Sequence, residues 1–343
     1  MPARSRSDFA DRLLAWHRRH GRHDLPWQNT RDPYRIWLSE IMLQQTQVAT
    51  VIPYYQRFLE RFPDLAALAA ADQNDVLALW AGLGYYARAR NLHRCAQAIM
   101  TGHGGRFPGD AATIAGLPGI GRSTAAAIAA FAFGERAAIL DGNVKRVLAR
   151  VFGIDGFPGK PAVERALWAL AESLLPDTGD IAAYTQGIMD LGATACTRSR
   201  PACTACPMRG LCVAERDGRQ DELPVAKPTR ALPERETQVV IFVSDGRVLL
   251  ERRPPAGIWG GLWSLPEGDE AALAARFGLT VGERETLPPL RHAFTHFRLT
   301  LQPVRCRVER RPLAEEDGRR WFDREALAAA GLPAPIARIL RPA

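Results

Sequence analysis

Four cysteines between residues 196 and 212 form the densest group of reactive side chains in the sequence: Cys196, Cys203, Cys206 and Cys212. Six, two and five residues separate successive cysteines, and four thiolates at this density bind a metal ion or an iron-sulfur cluster. Four-cysteine zinc sites with a C-x2-C core are also common, so the thiols alone leave both possibilities open. The other two cysteines, Cys95 and Cys306, are expected to be small buried apolar residues.

A second chemical feature is the stretch LPGIGRSTAAAI, in which two glycines precede an alanine-rich run with helical propensity. A tight turn through Gly119 and Gly121 into a helix points backbone N–H groups outward at the positive end of the helix dipole. Such a corner matches the helix-hairpin-helix motif, which holds a DNA backbone without reading base sequence. The alternative is an ordinary tight turn between two helices. Ser123 lies in the first turn of the second helix, and the turn alone does not explain its hydroxyl.

Two carboxylates have surroundings suited to acid–base chemistry. Glu40 lies within the apolar helical stretch WLSEIML, where burial raises the pKa of a carboxyl group and keeps its proton in place, as a general acid requires. Asp141 begins the predicted helix DGNVKRVLARVF, beyond the glycine turn. Structural roles are open to both, because Glu40 can interact with its helix dipole, and Asp141 or Asn143 can cap its helix.

A pair of tyrosines in GLGYYARARN stands between glycines and arginines. An aromatic ring at such a loop tip can wedge into a base stack and help to extrude a base, while Arg88 and Arg90 hold phosphates. Packing in the helical core is the alternative for Tyr85 and for Tyr86.

The elements that must position these residues are helical in the first part of the chain. From residue 8 to about 216, apolar residues recur at helical spacing, which predicts roughly ten short helices. Residues 37–62 are expected to form one long helical segment, kinked at Pro53. Asp64 and Asp72 are expected to cap helices.

The pattern changes after a polar segment with three prolines, which predicts a linker. The apolar stretches 237–243 and 247–253, separated by SDG, predict a β-hairpin, and residues 297–309 alternate at period two like a further strand. The C-terminal part is therefore expected to be α+β.

Length and charge agree with two domains and a polyanionic partner. The chain has 343 residues, 47% of them hydrophobic, and a net charge of +8, which favours nucleic acid as partner. No secretory signal and no membrane-spanning apolar run are seen, so a soluble, cytoplasmic protein is expected, without membrane contact. The predicted organisation is an all-α domain over 1–215, a linker over 216–236 and an α+β domain over 237–343.

Seven motifs together closely resemble the MutY family of adenine DNA glycosylases, of the endonuclease III superfamily: LPWQ, WLSEIMLQQTQV, GLGYYARARNLH, LPGIGRSTA, LDGNVKRVLAR, MDLGATACTRSRPACTACP and GIWGGLWSLPE. They cover nearly all of the chain in the family's order. The resemblance implies an all-α helix-hairpin-helix glycosylase domain of two lobes with a DNA cleft, followed by an α+β MutT-like (Nudix-like) domain. It also implies that the cysteine loop holds a [4Fe-4S] cluster.

The resemblance implies a reaction in base excision repair. Adenine mispaired with 8-oxoguanine, or less readily with guanine, is removed from double-stranded DNA by a monomeric enzyme, which leaves an abasic site. Glu40 would protonate the extruded adenine at N7, Asp141 would stabilise the oxocarbenium-like sugar or add to it transiently, and Asn143 would lie near that sugar. Related bifunctional enzymes carry a lysine nucleophile at the position of Ser123. Serine at this position therefore implies hydrolysis without strand cleavage.

Further positions carry over from the family to DNA recognition. Gln28 and Asp190 match pocket positions around the adenine. Tyr85 matches the intercalating position, and Gln45 matches a residue inserted near the opposite base. A bifunctional glycosylase/lyase remains an alternative, as does a non-catalytic DNA-binding or redox-sensing protein that uses the glycine turn and the cluster alone.

The MutT-like domain is expected to recognise 8-oxoguanine. Its loop RHAFTHF matches the family's lesion-contacting loop, with Phe294, Thr295 and His296 as contact residues, and Thr295 stands where serine is usual. No run of the form R-E-x-x-E-E follows the glycine-rich segment, so recognition without pyrophosphate hydrolysis is expected.

Overall fold

The computed structural model describes residues 3–228, 231–255, 257–309 and 318–341. Two compact units are formed, one from Met1–Ala69 with Arg94–Thr229 and the other from Ala70–His93 with Arg230–Ala343. None of the helices within the described ranges has the length and apolar character needed to cross a membrane.

Helices make up the described chain before the sheet. Their bounds are α1 Ala3–His20, α2 Pro33–Leu43, α3 Val48–Arg61, α4 Leu65–Ala70, α5 Gln73–Trp80, α6 Ala87–Gly102, α7 Ala111–Ala115, α8 Arg122–Ile128, α9 Gly142–Phe152, α10 Pro161–Ser173, α11 Ile181–Asp190 and α12 Val213–Arg216. Two π-helical turns, Ala129–Phe133 and Leu191–Ala195, extend α8 and α11. The predicted helical character from residue 8 to about 216 is confirmed.

Local signals for helix starts are confirmed at both predicted caps. The Asp72 side chain accepts a hydrogen bond from the Asn74 N–H at the start of α5, and the Asp64 carboxylate accepts one from the Ala67 N–H of α4 at 2.8 Å. Each cap satisfies a donor that the first helical turn leaves without an intrahelical partner.

The single long helix expected over residues 37–62 is wrong. Helix α2 ends at Leu43 and α3 begins at Val48, and between them Gln45 takes a left-handed conformation with φ of 58°. A left-handed residue cannot continue a right-handed helix. Pro53 lies inside α3, which continues past it to Arg61.

The core of the first unit lies among α1, α9 and α11. Phe9 and Leu13 of α1, Val147 and Leu148 of α9, and Ile188 of α11 are all buried. Burial of one such aliphatic side chain contributes about 1.5–3 kcal/mol. This packing fixes the axis of α9, whose first turn carries residues of the candidate site.

Strands dominate the C-terminal residues. Their bounds are β1 Glu234–Ser244, β2 Arg247–Arg252, β3 Trp263–Ser264, β4 Thr280–Thr286, β5 Leu290–Ala293, β6 Arg298–Glu309 and β7 Arg319–Phe322, with helices α13 Glu270–Phe277, α14 Arg324–Ala329 and α15 Ala334–Leu340. The sheet order is β3-β2-β1-β6-β4, with β5 paired to β6 and β7 to β2. The predicted hairpin is β1–β2, and the predicted alternating strand is β6.

One pairing and one helix organise this sheet. Strands β1 and β6 pair in parallel over ten residue pairs from Glu234↔Arg298 to Val243↔Arg307. Helix α13 packs on the sheet through Phe277, whose ring lies edge-on to Phe242, with centroids 6.0 Å apart. The expected α+β character is confirmed. The contacts also group Ala70–His93, which the sequence assigned to the helical domain, with these C-terminal residues.

Candidate active site

A cleft of about 920 Å³ in the first unit brings together residues that are far apart in the sequence. Glu40 of α2, Ser123 of α8, and Asp141 and Asn143 at the start of α9 all line it, as does Gln45. Acidic, hydroxyl and amide groups thus converge on one concave surface, as in an enzyme active site.

Glu40 is an acidic group strongly altered by its surroundings. Glu40 belongs to helix α2, which has Asp32 as its N-cap. The residues that follow Glu40 in this helix, Ile41 and Met42, are buried. Burial, together with the negative charge of Asp141, raises the pKa of Glu40 to about 8. Glu40 is therefore protonated at neutral pH and can donate a proton.

Asp141 caps α9 and is held in one orientation. Its carboxylate accepts a hydrogen bond from the Val144 N–H at 2.7 Å. Burial raises the pKa of Asp141, whereas the N–H groups of Val144 and Asn143 and the positive charges of Arg146 and Lys145 oppose that rise. The pKa values of both carboxyl groups are therefore raised, but only Asp141 has N–H donors and positive charges that stabilise its ionised form.

Ser123 connects the glycine turn to the strand-like segment before α9. Its hydroxyl oxygen accepts a hydrogen bond from the Leu140 N–H at 2.9 Å. Since Leu140 precedes Asp141, this bond fixes the backbone that presents the carboxylate.

Arg146 positions Asn143. The Arg146 guanidinium donates to the Asn143 Oδ1 at 2.8 Å, and also to the backbone carbonyls of Gly192 and Cys196. Gly192 is packed so closely that a Cβ there would lie 2.7 Å from the Asn143 Cβ. Asn143 is therefore fixed from two sides.

A second cavity of about 580 Å³ shares Glu40 with the cleft and contains Gln28. The Gln28 Oε1 accepts a hydrogen bond from the Leu25 N–H at 3.1 Å. Its Nε2 is buried and has no hydrogen-bond partner within the described part of the chain. A buried amide donor without a partner is costly, and a polar ligand atom in this cavity would satisfy it.

Asp190 is placed differently from the expectation. Its side chain is 0% exposed and lines neither cavity. Instead it accepts hydrogen bonds from the backbone N–H and the Nε of Arg22, each at 2.8 Å, and from the Gln186 Nε2 at 2.8 Å. Arg22 and Gln186 line both cavities. Asp190 therefore orients two side chains that line the cavities, although it does not line them itself.

The glycine turn has the geometry that its sequence predicts. Gly119 has φ of 77°, in the region that favours glycine, and Gly121 is the N-cap of α8 without a capping side chain. A Cβ at Gly121 would meet nothing within 4 Å. The first-turn N–H groups of α8 therefore face open space, where an anion can approach them.

Gln45 and Tyr85 share an unusual backbone. Both are exposed and have positive φ, 58° and 49°, which is strained for residues other than glycine. The Tyr85 side chain is 45% exposed, whereas Tyr86 is buried. Tyr85 is therefore the exposed tip of this loop, whereas Tyr86 packs in the core.

Arg88 differs from the phosphate-holding role expected for it. It is only 9% exposed, and its guanidinium donates to the carbonyls of Leu83 and Gly84. It also lies over the rings of Trp80 and Tyr85, 5.3 and 5.5 Å from the ring centroids. Arg88 therefore shapes the tip from within.

The four clustered cysteines line one small, mostly apolar cavity. None of the four forms a disulfide with another described residue, and burial raises the pKa of Cys206 to about 11. Arg150, itself buried, donates to the Cys196 Sγ at 3.4 Å and to the Thr197 carbonyl. Across the described residues, no three His, Cys, Asp or Glu side chains are arranged to hold a single metal ion.

In the second unit, Phe294, Thr295 and His296 form the connection between β5 and β6. Phe294 stacks on Phe297 with centroids 4.5 Å apart, while Thr295 and His296 are exposed. The loop therefore has an aromatic base and two polar side chains facing solvent.

Comparison with known proteins identifies the family. Residues 38–173 match the HhH-GPD superfamily of base excision DNA repair proteins, and residues 237–342 match the NUDIX domain. An adenine DNA glycosylase of Buchnera aphidicola subsp. Acyrthosiphon pisum (strain APS) is 36% identical over 340 residues, which cover 97% of this chain and 96% of that protein. The chain belongs to the adenine DNA glycosylase family.

Two further relatives agree. The adenine DNA glycosylase of Homo sapiens is 33% identical over 402 residues, which cover 97% of this chain and 73% of the human protein. A solved thermostable thymine-DNA glycosylase, 32% identical, covers 62% of this chain and 98% of its own, with a TM-score of 0.56. The predicted fold class is confirmed.

An adenine DNA glycosylase hydrolyses N-glycosidic bonds of DNA in base excision repair. Membership of the family excludes the non-catalytic alternative. Two residues that position the site, Arg22 and Arg146, were not predicted from the sequence. Arg22 lies in the basic run HRRHGRHD, whose composition suggests only a solvated surface. Arg146 falls among alternating apolar and basic residues of α9, and neither residue carries a local signal for its buried partner.

Proposed function

We propose that this glycosylase removes adenine paired with 8-oxoguanine, or less readily with guanine, from double-stranded DNA, and that it stops at the abasic site. The observation that carries the proposal is the cleft in which a protonated Glu40 lies beside Asp141. The pocket around Gln28, with its unpaired buried amide, supports a polar heterocycle as ligand.

Glu40 acts as the general acid. Adenine leaves poorly as an anion, so transfer of the Glu40 proton to N7 of the base lets it depart as a neutral molecule. Glu40 becomes a carboxylate in this step.

Asp141 stabilises the positive charge that develops on the sugar as the bond to adenine breaks. Its capping bond from the Val144 N–H and the nearby positive charges favour its ionised form. Asn143, held by Arg146, presents its amide to the same cleft. Water then adds to C1′ and releases a proton. Before this step, Asp141 either stabilises the positively charged sugar directly or forms a transient adduct with it.

Ser123 supports hydrolysis without strand cleavage. A lyase needs an amine that attacks C1′ and forms a Schiff base. Ser123 carries a hydroxyl group instead of an amine, and its oxygen is engaged with the Leu140 N–H. The nearest candidate amine along α9, Lys145 Nζ, is paired with the Glu164 carboxylate at 2.6 Å.

DNA is held by three features. The glycine turn offers backbone N–H groups to phosphates. Tyr85 and Gln45 are exposed, strained residues suited to insertion into the base stack. The net charge of +8 favours the polyanion, and a single chain supplies all of these groups, so we propose a monomer.

A [4Fe-4S] cluster is proposed for the four cysteines. The four thiols line one cavity, and their 6-2-5 spacing resembles the cluster loop of the endonuclease III superfamily. When bound, the cluster would be held by the four thiolates and would close the loop 196–212. Arg150 and Arg146 would tie that loop to α9 through the Thr197 and Cys196 carbonyls.

The reaction's end point is tested with duplexes that carry adenine opposite 8-oxoguanine, guanine, thymine or cytosine. We expect adenine release opposite 8-oxoguanine and, more slowly, guanine, with strand breaks only after alkali. Borohydride should trap almost no covalent adduct, because Ser123 is not an amine. Ser123→Lys is the matched variant that should gain trapping if its amine reaches C1′. Efficient trapping by the wild type would contradict the hydrolytic mechanism.

Metal analysis tests the cluster. Protein purified without oxygen should be yellow-brown and contain about four irons per chain, as a four-thiolate cluster requires. Cys203→Ser should lose iron and DNA binding, whereas Cys95→Ser, which alters a buried cysteine outside the loop, should keep its iron. Stoichiometric zinc without iron would contradict the assignment.

Recognition of the lesion is assigned to Thr295 and His296, whose exposed polar groups can reach the N7–H donor and O8 acceptor that distinguish 8-oxoguanine from guanine. Changing both to Ala should lower the preference for 8-oxoguanine over guanine by about thirtyfold, as the loss of two hydrogen bonds of about 1 kcal/mol each predicts. Activity on adenine opposite guanine should remain. Both rates are measured at one salt concentration. An unchanged ratio of rates would remove the loop from lesion recognition.

A further inference from the structure

The second unit contains two features that the proposed function uses separately, the Tyr85 tip and the loop of Phe294, Thr295 and His296. The glycine-rich segment Trp259–Gly261 contacts helix α6 on one side and the β5–β6 loop on the other. Neither the cleft nor the proposed reaction gives this segment a role. Trp259 has φ of 56° although it is a bulky residue, and it is 8% exposed. Such strain persists only where the surrounding structure imposes it.

The Trp259 side chain faces the lesion loop. Its ring lies 5.7 Å from the Phe294 ring and 6.2 Å from the His292 ring, centroid to centroid. Phe294 in turn stacks on the buried Phe297. Trp259 therefore supports the base of the loop that presents Thr295 and His296.

The next residue, Gly260, contacts the helix that follows Tyr85. The Gly260 carbonyl accepts a hydrogen bond from the Arg90 Nη1 at 2.6 Å, and Arg90 belongs to α6, which begins two residues after Tyr85. Gly260 has no room for a side chain, because a Cβ would lie 2.4 Å from the Pro255 carbonyl oxygen. A charged donor at this distance makes a strong bond to a backbone that cannot shift easily.

Other contacts hold the same two parts together. The Tyr86 hydroxyl accepts from the Gly82 N–H at 3.3 Å and donates to the Leu332 carbonyl at 3.4 Å. The Arg252 guanidinium donates to the Asn74 Oδ1 of α5. Gly82 and Tyr86 flank Tyr85, so the exposed ring is mounted on backbone that is bonded to C-terminal residues.

We propose that Arg90, Gly260 and Trp259 form a rigid bridge that couples the lesion-reading loop to the Tyr85 tip. They are positioning residues, and their role rests on the proposed function. With the two groups held at a fixed separation, binding of 8-oxoguanine by the loop delivers the tip to the duplex already ordered. The free energy of lesion binding then assists adenine extrusion instead of being lost to ordering a mobile tip.

Arg90→Met tests the bridge, because methionine keeps an unbranched apolar stem but cannot donate to the Gly260 carbonyl. The matched control is Arg247→Met, which removes an exposed arginine at the start of β2. Single-turnover adenine release is measured opposite 8-oxoguanine and opposite guanine. Arg90→Met should lower the ratio of the two rates by about tenfold or more, in the range of a charged hydrogen bond, and Arg247→Met should not.

A double-mutant cycle separates coupling from two independent effects. Arg90→Met combined with Thr295→Ala and His296→Ala should reduce the ratio by much less than the product of the separate effects, because either change breaks the same connection. Multiplicative effects, or an unchanged ratio in Arg90→Met, would overturn the bridge. So would an equal loss of affinity for both duplexes with a smaller salt dependence, which is the signature of a lost phosphate contact.

Two further measurements keep the result interpretable. Tyr86→Phe removes a second connection with the loss of one oxygen atom and should lower the same ratio. Both variants should keep the wild-type thermal midpoint within a few degrees, because each loses only one or two hydrogen bonds of a large chain. If the wild type releases no adenine from either duplex, the proposed function fails. If the wild type discriminates and the variants do so equally, only the bridge fails.

Discussion

The proposed mechanism depends on one constraint, which is that Glu40 keeps a proton while the neighbouring Asp141 is ionised. Water would remove that proton at neutral pH, so the carboxyl group must be taken out of water by the apolar surroundings of α2. The charge of Asp141 adds to the effect and is itself kept by the N–H of Val144. An acid and a stabilising anion are thus obtained from two identical functional groups through their environments alone.

Much of the helical unit serves to hold those environments in place. Ser123 fixes the backbone before Asp141, and Arg146 joins Asn143 to the carbonyl of Cys196. The cysteine loop is therefore connected to the cleft through one side chain. Through this connection, the cluster proposed for the loop would help to order the site without taking part in the chemistry.

Strain marks the residues that meet DNA in the proposed function. Gln45 and Tyr85 are exposed with positive φ, and Trp259 is buried with positive φ behind the lesion loop. Each conformation costs free energy that surrounding contacts must offset.

The sequence predicted the parts of the structure that follow local rules. Helical spacing, the caps at Asp64 and Asp72 and the β1–β2 hairpin all depend on near neighbours, and all are present. The break at Gln45 was missed because glutamine gives no signal for a left-handed residue. Long-range partners were also invisible: nothing near Asp190 indicates that Arg22, distant in the chain, occupies its carboxylate.

The most direct test of the central claim is the pH dependence of single-turnover adenine release, compared between the wild type and Glu40→Gln. In the proposed mechanism the protonated form of Glu40 is the active one, so the wild-type rate should be level just below its raised pKa of about 8 and fall above it. Glu40→Gln should be slower by about a hundredfold or more and lack this decline. A wild-type rate that already falls near pH 4–5, at the ordinary pKa of a glutamate of about 4.3, would contradict a buried, protonated Glu40.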